Sequence, residues 1–249
     1  MDRHLIIAGQ GRAGTTLLYN MLRSTLQGFD LPPSERAART LIDLPGSFCT
    51  KRPFDIFDMP AIFEANQGRK RIDLIVSLRD PRDILVSRHA KVPDDYFCSA
   101  DAMYFVPGDR PPERTAPGLL AIHDLSMAVA ESSLFPQGVF FLKYEDLVAD
   151  PEAVQGLLEQ GLGLRFSGRF GDFHAAEIPG ALQGPLNGVR PVEAAEAKWR
   201  RPEHRARIID QFTRFPALFT VLDQLGYETD RGWFEALCAD EVAEAGVEI

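Results

Sequence analysis

The chain has 249 residues, 45% hydrophobic and 25% charged, the proportions of a globular protein long enough to bury a full core. Its 36 acids outnumber 27 bases, and a net charge of −9 argues against an extended nucleic-acid surface. That charge is uneven: residues 228–249 hold seven acids and one base, Arg231, so the remaining 29 acids and 26 bases leave residues 1–227 at −3. A local basic pocket is compatible with such a body.

Three scattered cysteines, Cys49, Cys98 and Cys238, make neither a disulfide framework nor a CxxC pair, which points to a reducing compartment. The apolar run 5–8 near the N-terminus is too short for a signal or membrane helix. A cytoplasmic chain with no membrane partner is the expectation.

In chain order, HLIIA (4–8) is a near-continuous apolar run, as in a strand buried on both faces. A glycine turn follows, then TTLLYNMLRSTL with apolar residues at helical spacing. Residues 34–43 read as a helix capped by Ser34, and 47–50 as a second strand. Asp58 and Pro60 suit the start of a short helix ending near Gly68. IDLIVSL (72–78) is the clearest strand, and Asp80-Pro81 opens the helix PRDILVSRHA. Residues 92–118, rich in Pro, Asp and Gly, read as a long loop. A helix near 119–134, a strand at 138–144 and a Pro-led helix at 151–164 come next. Residues 165–197 read as irregular, with two helices around 202–225 and a polar tail. This alternation predicts one α/β domain (1–227) with a mainly parallel sheet covered on both faces, and an acidic tail (228–249).

The turn Gly9-Gln10-Gly11-Arg12-Ala13-Gly14-Thr15-Thr16 fits GxGxxG and nearly fits GxxxxGK[ST]. Both patterns seat an anion on backbone N–H groups at a helix N-terminus. A dinucleotide site needs an acid about 20 residues on, after a second strand. Asp30 is the nearest, in a segment that makes a poor strand. An ATP phosphate loop needs a lysine where Thr15 stands. The plain reading is a tight turn whose glycines serve conformation only; a third puts the cation inside the loop, where Arg12 can grip a terminal phosphate and an adjoining sulfonate, with Thr15 and Thr16 adding hydroxyls and N–H groups.

With that reading the sequence resembles the sulfotransferases that use 3′-phosphoadenosine 5′-phosphosulfate (PAPS). GQGRAGTTLL is similar to their first motif. LIVSLRDPRDILVS is similar to the second, in which Arg79 at a strand end and Ser87 eight residues on hold the 3′-phosphate. A helix from Asp80 would put Ser87 about two turns in, within reach of the same phosphate. FLKYEDLVADPEAVQGLLEQGLGL resembles a further family segment, where Tyr144, Glu145 and Asp146 read as structural. VRPVEAAEAKWRRPE resembles the segment closing over the nucleotide, making Arg190, Lys198, Trp199 and Arg200 candidate contacts. The resemblance spans residues 4–226 and implies a three-layer α/β/α, P-loop NTPase-like fold. The cofactor-binding set it implies is Gly11, Arg12, Ala13, Gly14, Thr15, Thr16, Arg79, Ser87, Arg190, Lys198 and Trp199.

The implied reaction is a metal-independent in-line displacement that moves a sulfonate from PAPS to a hydroxyl or amine and releases the bisphosphate PAP. The five histidines show no ligand spacing. Arg12 would stabilise the leaving oxygen. Where many members place a histidine base, this chain has Thr50-Lys51-Arg52-Pro53. Carbohydrate and protein sulfotransferases resemble it better, with a Lys-x-Pro there and a Glu after the first helix. Glu35 is therefore the candidate base, against the plain reading of a first-turn acid beside Ser34. Lys51 would then support the sulfonate or the acceptor, against the plain reading of a solvated strand-end lysine, and His123 is an outside candidate for the base. The walls of an acceptor groove fall at 92–118 and 165–190, where Tyr96, Phe97, Tyr104 and Phe105 either line a pocket or anchor the loop. The expected partner is a small-molecule or carbohydrate acceptor, with no nucleic acid and the oligomeric state open. Two other functions fit the loop: a P-loop nucleotide kinase, or a non-catalytic module for a phosphorylated ligand.

Overall fold

The N-terminal apolar run forms β1 (Arg3–Gly9), and the glycine turn leads into α1 (Thr15–Thr25). The computed structural model describes residues 1–89, 92–105, 108, 110, 112–186, 189–194 and 196–244. Residues 245–249 of the acidic segment, 106, 107, 109 and 111 of the expected long loop, and 187 and 188 of the second groove wall lie outside the described residues. The chain continues through β2 (Phe48–Lys51), α2 (Met59–Asn66), β3 (Arg71–Leu78) and α3 (Pro81–Leu85). Next come β4 (Ala102–Phe105), β5 (Glu113–Ala116), α4 (Leu119–Glu131) and β6 (Phe140–Lys143). Helices α5 (Tyr144–Ala149), α6 (Pro151–Leu162), α7 (Gly180–Gln183), α8 (Arg205–Arg214), α9 (Ala217–Gln224) and α10 (Gly232–Glu244) complete it.

The principal sheet has the order β2-β1-β3-β6, all parallel, with Ile7 opposite Lys51 and Gly9 opposite Ser77. Flanking helices complete the α/β architecture. The chain forms two compact units, Met1–Arg79 with Leu125–Ala195, and Asp80–Asp124 with Glu196–Ile249. The first owns the parallel sheet. Its core joins Leu5 and Ile7 of β1 to Leu18 and Leu22 of α1, Val154 and Leu158 of α6, and Phe170 and Phe173 beyond. Arg3 anchors the start of β1 by pairing with Asp73 at 2.7 Å and donating to the Leu162 carbonyl. Helix α6 begins where the sequence signals it: Asp150 accepts from the Ala153 N–H, Pro151 takes the first position, and Gly163 closes the far end at φ 62°.

The second unit packs Ile84, Leu85, Leu119, Ile208, Phe212, Leu218 and Leu222 around Trp199. Here several expectations are corrected. The helix from Pro81 stops at Leu85, short of Ser87. The 92–118 segment holds an antiparallel pair, β4 and β5. Residues 232–244 are helical, and Trp233, Phe234 and Leu237 join the apolar cluster. In the first unit, the helix expected at 34–43 is only a 3₁₀ turn, Ala38–Thr40.

Candidate functional site

In a parallel sheet, ligands gather beyond the carboxyl ends of the strands, where the chain order reverses. After β1 the chain moves to β2 on one side and then to β3 on the other, so the reversal lies between β1 and β3. The glycine turn and Arg79 occupy that point. Gly9, at φ 110°, tolerates no side chain, because a Cβ there would sit 2.8 Å from the Ser77 carbonyl oxygen. The Gln10 N–H donates to the Ser77 carbonyl at 3.1 Å, and the Gln10 side-chain oxygen accepts from the Arg79 N–H at 3.0 Å. The Arg79 guanidinium donates to the Arg12 carbonyl at 3.2 Å and lies 4.4 Å over the Tyr144 ring. Turn and strand end are thereby locked together.

Arg12 adopts the left-handed conformation, φ 64°. Burial pushes its pKa down and the neighbouring Arg79 pushes it further, against an opposing pull from Tyr144. Arg12 Nε, Gln10 Nε2 and Ser77 Oγ are buried without a hydrogen-bond partner. Helix α1 starts on left-handed Gly14 with no side-chain cap and no acid in its first turn, and Thr15 and Thr16 are buried there. Like charges, orphaned donors and a bare helix start suit a phosphate or sulfonate.

At the end of β2, Lys51 pairs with Glu35 at 2.5 Å; the Lys51 side chain is 7% exposed and that of Glu35 49%. Glu35 lies in an irregular stretch before the 3₁₀ turn, which corrects the reading of a first-turn helix acid. Gly11 and Ala13 complete the turn. Arg190 is exposed and pairs loosely with Glu193 at 3.7 Å.

The other expected residues belong to the second unit. The Ser87 hydroxyl donates to the Asp83 carbonyl at 2.8 Å. Lys198 is exposed, whereas Trp199 is buried, with Arg82 4.0 Å and Arg200 4.4 Å over its ring. Asp83 accepts from the Trp199 N–H at 3.1 Å, and Arg82 pairs with both Asp80 and Glu228 at 2.8 Å. His123 meets the Gln224 side-chain oxygen at 2.8 Å in the same unit.

Sequence reasoning passed over Gln10 and read Tyr144 as structural, which agrees with its place against Gly14 and beneath Arg79. Gln10 carried a signal, being the one side chain between two glycines able both to donate and to accept. Tyr144 fixes the identity of residue 14. Gly14 has φ 75°, and a Cβ there would fall 2.5 Å from Tyr144 Cδ2. Gly14→Ala is therefore expected to lose about 1–2 kcal/mol to the left-handed conformation alone. Displacement of a ring that carries Arg79 adds to that loss. Chemical denaturation measures the total, and a Tyr144→Ala background should recover only the steric part. Equal losses in both backgrounds would show that the ring does not police the position.

No family model and no curated protein matches the sequence. Solved structures do match it. The sulfotransferase domain of the Synechococcus PCC 7002 olefin synthase aligns over 86% of this chain and 94% of its own, with a TM-score of 0.51 and 15% identity. Mouse sulfotransferase SULT7A1, complexed with PAP, aligns over 87% of this chain and 86% of its own, with a TM-score of 0.51 and 14% identity. The chain has the sulfotransferase fold.

Proposed function

We propose that this chain transfers the sulfonate of PAPS to a hydroxyl, or less readily an amine, of a small-molecule or carbohydrate acceptor. The observation that carries the reading is the Arg79 guanidinium bonded to the Arg12 carbonyl in the turn that leads into the uncapped start of α1, with Lys51–Glu35 at the next strand end. A neighbour of this fold bound to PAP supports it. The N–H groups of Gly11, Ala13, Gly14, Thr15 and Thr16 hold the 5′-phosphate. Arg79 takes the 3′-phosphate; the resemblance adds Ser87 to that role, and Arg190, Lys198 and Trp199 belong to the segment that resembles the nucleotide cover. The acceptor oxygen attacks sulfur as the sulfur–oxygen bond to the 5′-phosphate breaks, and the electron pair leaves on PAP. Glu35 takes the acceptor proton, Lys51 supports the sulfonate oxygens, and Arg12 meets the charge growing on the bridging oxygen.

Thermal shift with adenosine 3′,5′-bisphosphate, ATP–Mg²⁺ and NAD tests the reading, and the bisphosphate should stabilise most. Stabilisation by ATP–Mg²⁺ alone would favour a nucleotide kinase and overturn it. Arg79→Ala is expected to weaken the bisphosphate by about 1.5–3 kcal/mol, the value of a charge-assisted hydrogen bond, and AMP far less. Titration calorimetry with both ligands measures the difference. Equal losses would mean that Arg79 does not read the 3′-phosphate.

A further inference from the structure

Glu35 sits in a stretch with no regular structure, yet its neighbours on both sides are pinned by buried polar groups. Downstream, the Ala38 N–H donates to Asp55 at 2.9 Å, and Asp55, 1% exposed, also accepts from Arg52 at 3.1 Å. Upstream, Arg23 of α1 donates to the carbonyls of Leu31 and, at 3.1 Å, Pro32. The third group is Tyr19, also on α1 and 1% exposed. Its hydroxyl donates to the Pro32 carbonyl at 2.8 Å and has the Cys49 carbonyl as a second, weaker acceptor at 3.4 Å. Pro32 lies three residues before Glu35, and Cys49 lies on β2 two residues before Lys51. One phenol therefore touches the two backbone segments that carry the two members of the ion pair. Burial raises the pKa of Tyr19, keeping the O–H in place as a donor.

We propose that Tyr19 is a positioning residue: its buried hydroxyl ties the Glu35 segment to β2 and so sets Glu35 against Lys51. The proposal rests on the reading of Glu35 as the base, and the role is indirect because Tyr19 acts only through backbone carbonyls. A helix would hold Glu35 through its own hydrogen bonds. Residues 33–36 show no such bonds, so the anchors on either side, the Tyr19 hydroxyl among them, supply the order that local structure does not. The same helix, α1, begins in the anion-binding turn, so one rigid element places both the turn and the base segment.

Tyr19→Phe keeps the ring in the core and deletes only the hydroxyl. Amide exchange at Ala38, whose N–H is held by Asp55, should accelerate about tenfold, the loss of one ordinary hydrogen bond, while exchange in β1 and β3 stays at the wild-type rate. Turnover of ³⁵S-labelled PAPS, with water or a panel of hydroxyl acceptors, should fall on the order of 10- to 100-fold, as for a displaced catalytic group. KM for PAPS and the thermal shift by adenosine 3′,5′-bisphosphate should not move. In a Glu35→Gln background, Tyr19→Phe should bring no further loss of turnover. Wild-type exchange in the segment would overturn the proposal, as would an equal fractional loss in the Glu35→Gln background, which marks a general packing role. Wild-type turnover in Glu35→Gln alone is a different failure: it removes Glu35 as base and leaves the exchange result to report the tether. Should Tyr19→Phe not fold, Arg23→Met removes the donor to the same Pro32 carbonyl from a half-buried position and is read in the same way.

Discussion

Glu35→Gln is expected to lower turnover about 10²–10⁴-fold, the range for loss of a general base, while affinity for adenosine 3′,5′-bisphosphate stays at the wild-type level. The substitution preserves shape, and the amide oxygen still accepts from Lys51, so the segment keeps its place. What disappears is basicity. Half of the Glu35 side chain faces solvent, where an acceptor hydroxyl can reach it, whereas Lys51 is enclosed and serves as the fixed partner. Stability should change by less than about 1 kcal/mol, because a pair this exposed on one side contributes little. Initial rates with ³⁵S-labelled PAPS beside calorimetry with the bisphosphate separate the two effects. Unchanged turnover would eliminate Glu35, and a matching loss of nucleotide affinity would relocate it to the nucleotide site.

The parts of the fold legible in the sequence were those whose signals are local. A strand buried on both faces reads as an apolar run, a left-handed helix start as a glycine, and a helix opening as Asp-Pro. Hence β1, the turn, β3 and α6 appear within a residue or two of their expected places. The Glu35 segment misled for a physical reason. SERAARTLID carries a cap and helical spacing, yet its chain is held by partners remote in sequence, Tyr19, Arg23, Lys51 and Asp55, none of which a local pattern reveals. The β4–β5 pair was hidden by inversion. Met103 and Phe105 face outward and Ala102 and Tyr104 are half-buried, so no apolar-in, polar-out alternation marks the strand.

Charge was the other misleading cue. The acids of residues 228–249 suggested a solvated tail, but the same stretch carries Trp233, whose ring lies 5.2 Å from that of Trp199. Arg82 touches both, 4.0 Å from Trp199 and 4.6 Å from Trp233, and Glu228 binds that arginine. One tail acid is thus the partner of a buried cation, where net charge counted it as surface. The candidate site shows the complementary case: Arg12 and Arg79 lie together at one turn, so the total of −9 says nothing about the local field.

That local field leads to a prediction in which stability and function move in opposite directions. Arg12 holds a left-handed conformation, which costs a non-glycine residue about 1–2 kcal/mol, and its buried guanidinium sits beside a second arginine. On the proposed reading, an anion held in the turn would offset the repulsion between the two arginines. Arg12→Gly removes both the conformational cost and one of the two charges. The ligand-free variant should be as stable as the wild type or more so, by about 1 kcal/mol once the greater freedom of glycine in the unfolded chain is counted. The stabilisation conferred by adenosine 3′,5′-bisphosphate should shrink. A 100-fold weaker complex forfeits about 2.7 kcal/mol at concentrations saturating for both proteins. Turnover should fall about 10²–10³-fold, as when one donor to a developing oxyanion is lost. Denaturant unfolding with and without the bisphosphate measures both terms on one sample. A variant less stable without ligand but equally stabilised by it would mean that Arg12 braces the turn and does not face the anion.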